Sequence, residues 1–359
     1  MTPIADTPSH GFRRGGVPFL ALPFVIAAVA TCAPVPAPTY QFIKEIPVGG
    51  EGGWDYLAED TTAHRLYVSH ATKVVVIDMV QDVVVGEIDS LPGVHGFAVA
   101  PELGLGFASN GRENTAAVVD LQTLAIVRRV DTGENPDAIL YVPGFEEVYT
   151  FNGRGHSATV FDAKSGDVIA TIPLSGKPEF AVFDPAAGRI YNNIEDQNEI
   201  AVIDARTHAV VATWPIAPGE EASGLAIDLA NHRLFTVCGN QLMVMLNSTT
   251  GAVVDTVQIG GGADAARFDP ATGLAFASNG EGTVTVAHED SPDRLTVVQT
   301  VTTARSARTM TLDPTTHRIY LSAADYEAPS PADSAAPRAR RRMVPDSFRV
   351  LVYGLEEER

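Results

Sequence analysis

The sequence predicts an all-β fold: a ring of seven four-stranded antiparallel sheets, closed by an N-terminal strand that completes the last sheet. Three observations predict it. One stretch, Gly176–Trp214, spells out a four-stranded meander. That stretch recurs along the chain with an aromatic residue at a fixed place. The last copy lacks a strand, and a spare strand stands near the start.

Within Gly176–Trp214, Phe180–Phe183 is a short apolar run and Asp184-Pro185-Ala186-Ala187-Gly188 is a tight turn. Proline fixes φ there and glycine admits positive φ. Arg189–Asn192, Glu199–Asp204 and Ala209–Trp214 follow as three more runs. All are short and rich in Val, Ile and aromatics, as strands are, and none has helical length or period. A single meander of this size cannot bury its own faces and needs neighbours like itself.

The neighbours are present. Tyr67, Phe107, Tyr149, Tyr191, Phe235, Phe276 and Tyr320 hold one position of the second strand, at intervals of 40, 42, 42, 44, 41 and 44 residues. That period is typical of β-propeller blades. Six copies carry four strands. The seventh has strands around Arg308–Leu312, Arg318–Ser322 and Arg349–Tyr353, and its missing fourth reads at Tyr40–Val48. The expectation is a seven-bladed β-propeller over residues 40–355, whose closure leaves only short, protected edges.

The 359 residues are 45% hydrophobic and 19% charged, with a net charge of −19. One large ring accounts for nearly all of them. The acidic surface repels nucleic acid and anionic membranes in the mean. Before the ring, Arg13-Arg14 precede the 14-residue apolar run Val17–Ala30, which ends in Ala28-Val29-Ala30. This reads as a signal peptide over 1–30, too short to span a membrane, followed by a Pro-rich spacer over 31–39. The expected location is periplasmic or extracellular. Cys32 leaves a lipid anchor open, and the other cysteine, Cys238, reads as a small buried hydrophobe. No disulfide staples the ring.

A meander sends alternate connections to opposite faces. One face collects the generic turns Asp184–Gly188, Asp269–Gly273, Asp313–His317, Asp162–Gly166 and Asn247–Gly251. The other collects the irregular polar connections. There the blade crossings deliver Trp54-Asp55, His95, Asp137, Glu179, Ser223, Asp264 and Arg308 to the start of each innermost strand. The loops of that face carry His70, Asn110-Gly111-Arg112, Asn152-Gly153-Arg154 and Asn279-Gly280. Histidines sort the same way: His64, His208, His232, His288 and His317 fall on the plain side, and His70, His95 and His156 on the polar side. Loops on a rigid scaffold are where binding groups usually sit. Between the second and third strands of blade seven lies the long loop Ala323–Ser347, with Arg338, Arg340, Arg341 and Arg342. It reads equally as a lid or as a solvated segment.

In period, strand composition and closure the chain resembles the YncE-like propellers of the YVTN repeat type. Leu66-Tyr67-Val68-Ser69, Val202-Ile203-Asp204, Asp269–Gly273, Phe107-Ala108-Ser109-Asn110 and Phe276-Ala277-Ser278-Asn279 carry the resemblance, which spans about Tyr40 to Gly354. It implies an exported seven-bladed propeller. Binding of single-stranded DNA is associated with part of that family, and no catalytic motif is there to carry over. Other propeller classes fit worse: no Trp-Asp repeat, no tryptophan docking motif in each blade, and no Cys-x-x-Cys-His for haem.

Three chemistries compete at the polar face. A divalent metal, zinc or similar, would take His70, His95 and Glu179, with Glu51 and Asp55 in reach. An anion or polyol would take forked donors from Arg112, Arg154 and Arg308 and amides from Asn110, Asn152 and Asn279. The plain alternative for the Asn-Gly pairs is type I′ turn chemistry. General acid–base work would use Glu179 or Asp264 with His95, although nothing marks a nucleophile. The leading expectation is a monomer binding a small molecule or a protein, without catalysis, through Glu51, Trp54, Asp55, Asn110, Arg112, Asn152, Arg154, Asp264 and Arg308. The rivals are a metal-dependent hydrolase or lyase and a binder of single-stranded DNA.

Overall fold

Seven four-stranded antiparallel sheets make up the described chain, six of them with their strands paired in sequence order. Blade one runs from Trp54 to Ile88, blade two from Val94 to Asp131 and blade three from Pro136 to Pro173. Blade four runs from Pro178 to Pro215, blade five from Ala222 to Gln258 and blade six from Ala263 to Thr302. Blade seven takes Met310–Asp313, Arg318–Ala323 and Arg349–Leu355 from the C-terminal end and Tyr40–Pro47 from the other. This computed structural model describes residues 1, 6, 8–11, 39–327 and 342–356. The chain divides into two units, Met1–Pro36 and Ala37–Arg359, and all the strands belong to the second. The expected leader (1–30), the spacer with Cys32, and Arg338, Arg340 and Arg341 lie outside the described residues or nearly so. Among the described residues no helix is long and apolar enough to cross a membrane.

Closure is as the sequence predicts. Tyr40–Pro47 pairs with Arg349–Leu355, from Tyr40 opposite Leu355 to Pro47 opposite Arg349. The Tyr40 hydroxyl donates to the His317 carbonyl at 2.7 Å, and the Gln299 amide brackets the Tyr40 backbone with two bonds of 2.8 Å. The N-terminal strand is thus tied to blade six as well as blade seven.

The repeated aromatics are the wedges between blades. Tyr67, Phe107, Tyr149, Phe235, Phe276 and Tyr320 are fully buried and Tyr191 is 2% exposed. Tyr67 stacks on Phe97 of the next blade at 4.5 Å, and Phe235 on Phe268 at 5.0 Å. Burial of one such ring is worth about 1.5–3 kcal/mol.

The plain face is turn chemistry, and its histidines are part of it. Asp60, Asp184 and Asp228 accept backbone N–H groups two and three residues ahead. Asp78, Asp120, Asp162, Asp204 and Asn247 do the same in the outer hairpins. Four residues after such a start the chain needs positive φ. Gly188, Gly273, Gly166 and Gly251 supply it in four turns, and His64, His208, His232 and His317 supply it in four others, at φ 50–58°. Histidine is among the few side chains enriched there.

Candidate functional site

Six of the seven innermost strands carry a register shift near their start: Trp54/Leu57, Val94/Phe97, Pro136/Ile139, Pro178/Ala181, Ala222/Leu225 and Ala263/Ala265. A bulge re-aims a side chain out of the sheet's alternation. The second residue of each strand sits in this bulge: Asp55, His95, Asp137, Glu179, Ser223 and Asp264. Arg308, ahead of the shorter first strand of blade seven, supplies the seventh place in the ring.

The ring's backbone is held from the neighbouring blades. Ser109 Oγ accepts the Gly96 N–H at 2.8 Å and donates to the Asp137 carbonyl. Asn193 donates to the Ser223 carbonyl at 2.8 Å, Ser223 Oγ to the Asp264 carbonyl at 3.0 Å, and Ser278 Oγ to the Arg308 carbonyl. Asn192 holds the Glu179 carbonyl from within its own blade, at 2.8 Å. In blades two and six the Ser two places after the aromatic is therefore a rivet between blades.

The ring's charges sort into three groups. Asp264 accepts from Ser223 Oγ at 3.0 Å and pairs with Arg308 at 3.4 Å. Glu179 pairs with Lys177 at 2.6 Å, and Lys177 also holds Glu195. His95 Nδ1 lies 2.7 Å from Asp55 Oδ2 and 3.8 Å from Asp137 Oδ1. Burial works to lower the His95 pKa, but the hydrogen bond with Asp55 and the charges of Asp137, Asp55 and Glu179 outweigh it, and the pKa is raised. Burial pushes the Asp137, Glu179 and Asp264 carboxyls upward; the charge of Asp55 adds to it for Asp137, and that of Asp137 for Glu179.

Below the ring the bore is filled. Tyr56 and Phe180 meet across it at 5.4 Å, and the Arg267 guanidinium lies over Phe180 at 4.8 Å. Arg267 also donates to Thr311 Oγ1, which donates to Glu59. A cavity of about 140 Å³ remains beside them. Gly224 lets blades five and six approach: a Cβ there would strike the backbone of Ala265 and Ala266.

Above the ring a cavity of about 920 Å³ opens, lined among others by Trp54, Asp55, His95, Arg112 and Arg154. Two glycines shape it. A Cβ on Gly111 would come within 2.7 Å of His95 Nε2, and one on Gly93 within 2.6 Å of Arg112 Cγ. The imidazole edge and the arginine stem each need that missing methyl.

The structure thus brings together Trp54, Asp55, His95, Arg112 and Arg154, with Glu179, Asp264 and Arg308 in the ring beside them. Other expected members fall elsewhere. His70 is 1% exposed and stacks on Phe348 at 4.0 Å; among the described residues neither ring nitrogen finds a hydrogen-bond partner, and it does not join His95. Its proposed partnership with His95 and Glu179 in one metal site is not what the fold assembles. Asn110 and Asn152 are fully buried and spend their amides on strand three of their own blades, at Thr115 and at Ser157 and Thr159. Asn279 does likewise. They are neither ligand donors nor type I′ turns, since neither they nor the following glycines have positive φ. Glu51 is exposed and does not line the mouth cavity.

Asp137 belongs with Asp55 and His95, although its sequence signal was only its place after a crossing. Lys177 and Tyr56 gave no signal of their own. The base of the long loop in blade seven is a short stalk, Tyr326 bridging Met343, and Tyr326 stands 6.3 Å from Trp54 at the mouth.

Fold and site together define a seven-bladed β-propeller with a charged cup at one end of a filled channel. No protein-family model matches the chain, and no curated protein matches it. Among solved structures it is similar to a chain of Kuenenia stuttgartiensis hydrazine synthase, with TM-score 0.66 and 17% identity, over 76% of this chain and 94% of that one.

Proposed function

We propose that this chain is a non-catalytic binding propeller whose polar mouth takes a small anionic, hydroxyl-bearing molecule. One observation carries the reading. Arg112 and Arg154, from adjacent blades, line the same cavity. Neither guanidinium has a carboxylate within 4.0 Å among the described residues, in a chain with 44 acidic and 25 basic residues. A forked cation left unpaired in such a chain is suited to a carboxylate or phosphate. Backbone at the mouth glycines and the side chains of Thr72 and Asn135, which line the same cavity, offer partners for the rest of the ligand. The same reading takes the chain as an exported YncE-like propeller, supported by the Arg13-Arg14 leader pattern and by the role of the Ser-Asn step in riveting blades.

Calorimetric titration with sugar acids, hydroxydicarboxylates and sugar phosphates tests it. Neutral sugars and oligothymidylate serve as comparators. An anion should bind, and the double substitution Arg112→Ala/Arg154→Ala should weaken it at least tenfold. Binding that ignores both arginines ends the reading. Preference for oligothymidylate with a steep salt dependence replaces it with single-stranded DNA binding.

The Asp55–His95 pair favours a second reading, an enzyme of hydrolase or lyase type. A carboxylate that orients an imidazole is the usual apparatus of proton transfer. Turnover of the bound anion, abolished by His95→Gln with binding retained, would establish it. The similar solved chain is named for an enzyme, but at 17% identity that likeness carries the fold alone.

A further inference from the structure

We propose that the mouth ring is a site for one first-row divalent transition ion, held by Asp55, His95 Nδ1 and Asp137. The inference rests on the ring alone and stands apart from the anion reading.

The three groups offer one ligand atom each, all within 4.8 Å of one another. Ligand atoms about 2.1 Å from a tetrahedral ion lie about 3.4 Å apart. The separations from Nδ1, 2.7 Å to Asp55 and 3.8 Å to Asp137, straddle that value. Small side-chain rotations suffice to seat an ion. The backbone beneath is fixed: each ligand occupies the bulge of its innermost strand, and Ser109 holds the Asp137 carbonyl.

A second observation points the same way. Glu179, next in the ring, is 8% exposed. Lys177 takes its Oε1 at 2.6 Å. The ring therefore gathers Asp55, Asp137, Glu179 and Asp264 against Arg308, which Asp264 engages, Lys177, which Glu179 engages, and His95, whose proton a bound ion would displace. A dication between Asp55 and Asp137 would offset charge that the ring leaves uncompensated where desolvation makes it costly. Glu179 stands outside the three-ligand group, held by Lys177, beside where the ion's water would lie.

One imidazole with two carboxylates is a mixed set. It suits zinc or manganese better than calcium, which prefers six or more oxygens. The open side of the ion faces the cavity that Arg112 and Arg154 line. An oxyanion there would meet both the metal and the guanidinium forks.

The test uses the full chain, stripped with chelator and titrated with ZnCl₂ and with MnCl₂ in a calorimeter, without any anionic ligand. One ion per chain is expected, with affinity reduced at least 100-fold by His95→Ala and by Asp137→Asn. The exposed Glu51→Gln variant should bind as the parent does. Circular dichroism checks that each variant is folded. Where a variant does not fold, electron spin echo spectroscopy of the Mn²⁺-loaded parent reads the same point, and modulation from one imidazole nitrogen is expected. Absence of binding, binding that both substitutions leave intact, or a spectrum without nitrogen coupling overturns the site. Repeating the anion titrations with and without metal separates this result from the arginine reading.

Discussion

His70 offers a sharp test of how the mouth is built, because the sequence places it among the ligands and the structure places it in the core. The ring lies flat on Phe348, 1% exposed, and neither nitrogen has a hydrogen-bond partner among the described residues. Burial, reinforced by Lys73 opposite it on the next strand, lowers its pKa from 6.5 to about 4. That gap, at about 1.4 kcal/mol per unit, amounts to about 3 kcal/mol. The sign follows from which state takes up the proton. Below pH 6.5 the unfolded chain protonates while the folded chain resists until about pH 4. Stability present at neutral pH is therefore lost as the pH falls through this window and levels off below it.

His70→Phe keeps an aromatic ring against Phe348 and removes the titration. Urea unfolding of parent and variant at pH 7, 6, 5 and 4 measures the difference. The parent should lose about 1 M more in midpoint than the variant between pH 7 and pH 4, for a slope of about 3 kcal/mol/M. The comparison of slopes is the test, since a slightly larger ring against Gly50 shifts the absolute midpoint. Parallel pH profiles would show that His70 protonates freely in the folded chain, and the buried reading would fall. Loss of Zn²⁺ binding in the variant would return His70 to the ligand set.

Three other outcomes are expected. Ser109→Ala leaves the Gly96 N–H and the Asp137 carbonyl without their shared partner in a buried place, which costs about 1–3 kcal/mol; an unchanged thermal melt would refute the rivet. Deletion through Pro47 strips the strand paired with Arg349–Leu355, opens an edge, and should give protein that aggregates on size-exclusion chromatography; a monomeric elution with a cooperative melt would refute the closure. Cys238, fully buried with its thiol pushed up to about 12, should resist Ellman's reagent in the native chain of a Cys32→Ser background and react fully in denaturant; stoichiometric native labelling would contradict its burial.

The ring and its closure were legible because both are periodic. An aromatic every 40 to 44 residues, an Asp-led turn and a stray strand at Tyr40 are local facts with one global solution. The seven mouth positions were legible for the same reason, each standing at the start of an innermost strand. The fate of His70 was not, because the ring that covers it, Phe348, lies 278 residues away on a different blade. The roles of Asn110 and Asn152 were hidden differently. An Asn-Gly pair looks like a hairpin turn, but the hydroxyls of strand three stand five and seven residues on and draw the amide inward.

The bulges explain why one scaffold tolerates seven different residues around its mouth. In a regular strand the side chain that faces the axis is also a rung of the ladder, and changing it disturbs the pairing. Here the strand leaves register where the ring residue sits, and a Ser or Asn, often on the neighbouring blade, grips the carbonyl rather than the side chain. Backbone position and side-chain chemistry are thereby separated. Ring side chains are free to be set by each other's charge, so Arg308 faces Asp264 and His95 stands between Asp55 and Asp137. Substituting a ring residue should change what the mouth binds far more than whether the propeller folds. Substituting a rivet such as Ser109 should do the reverse.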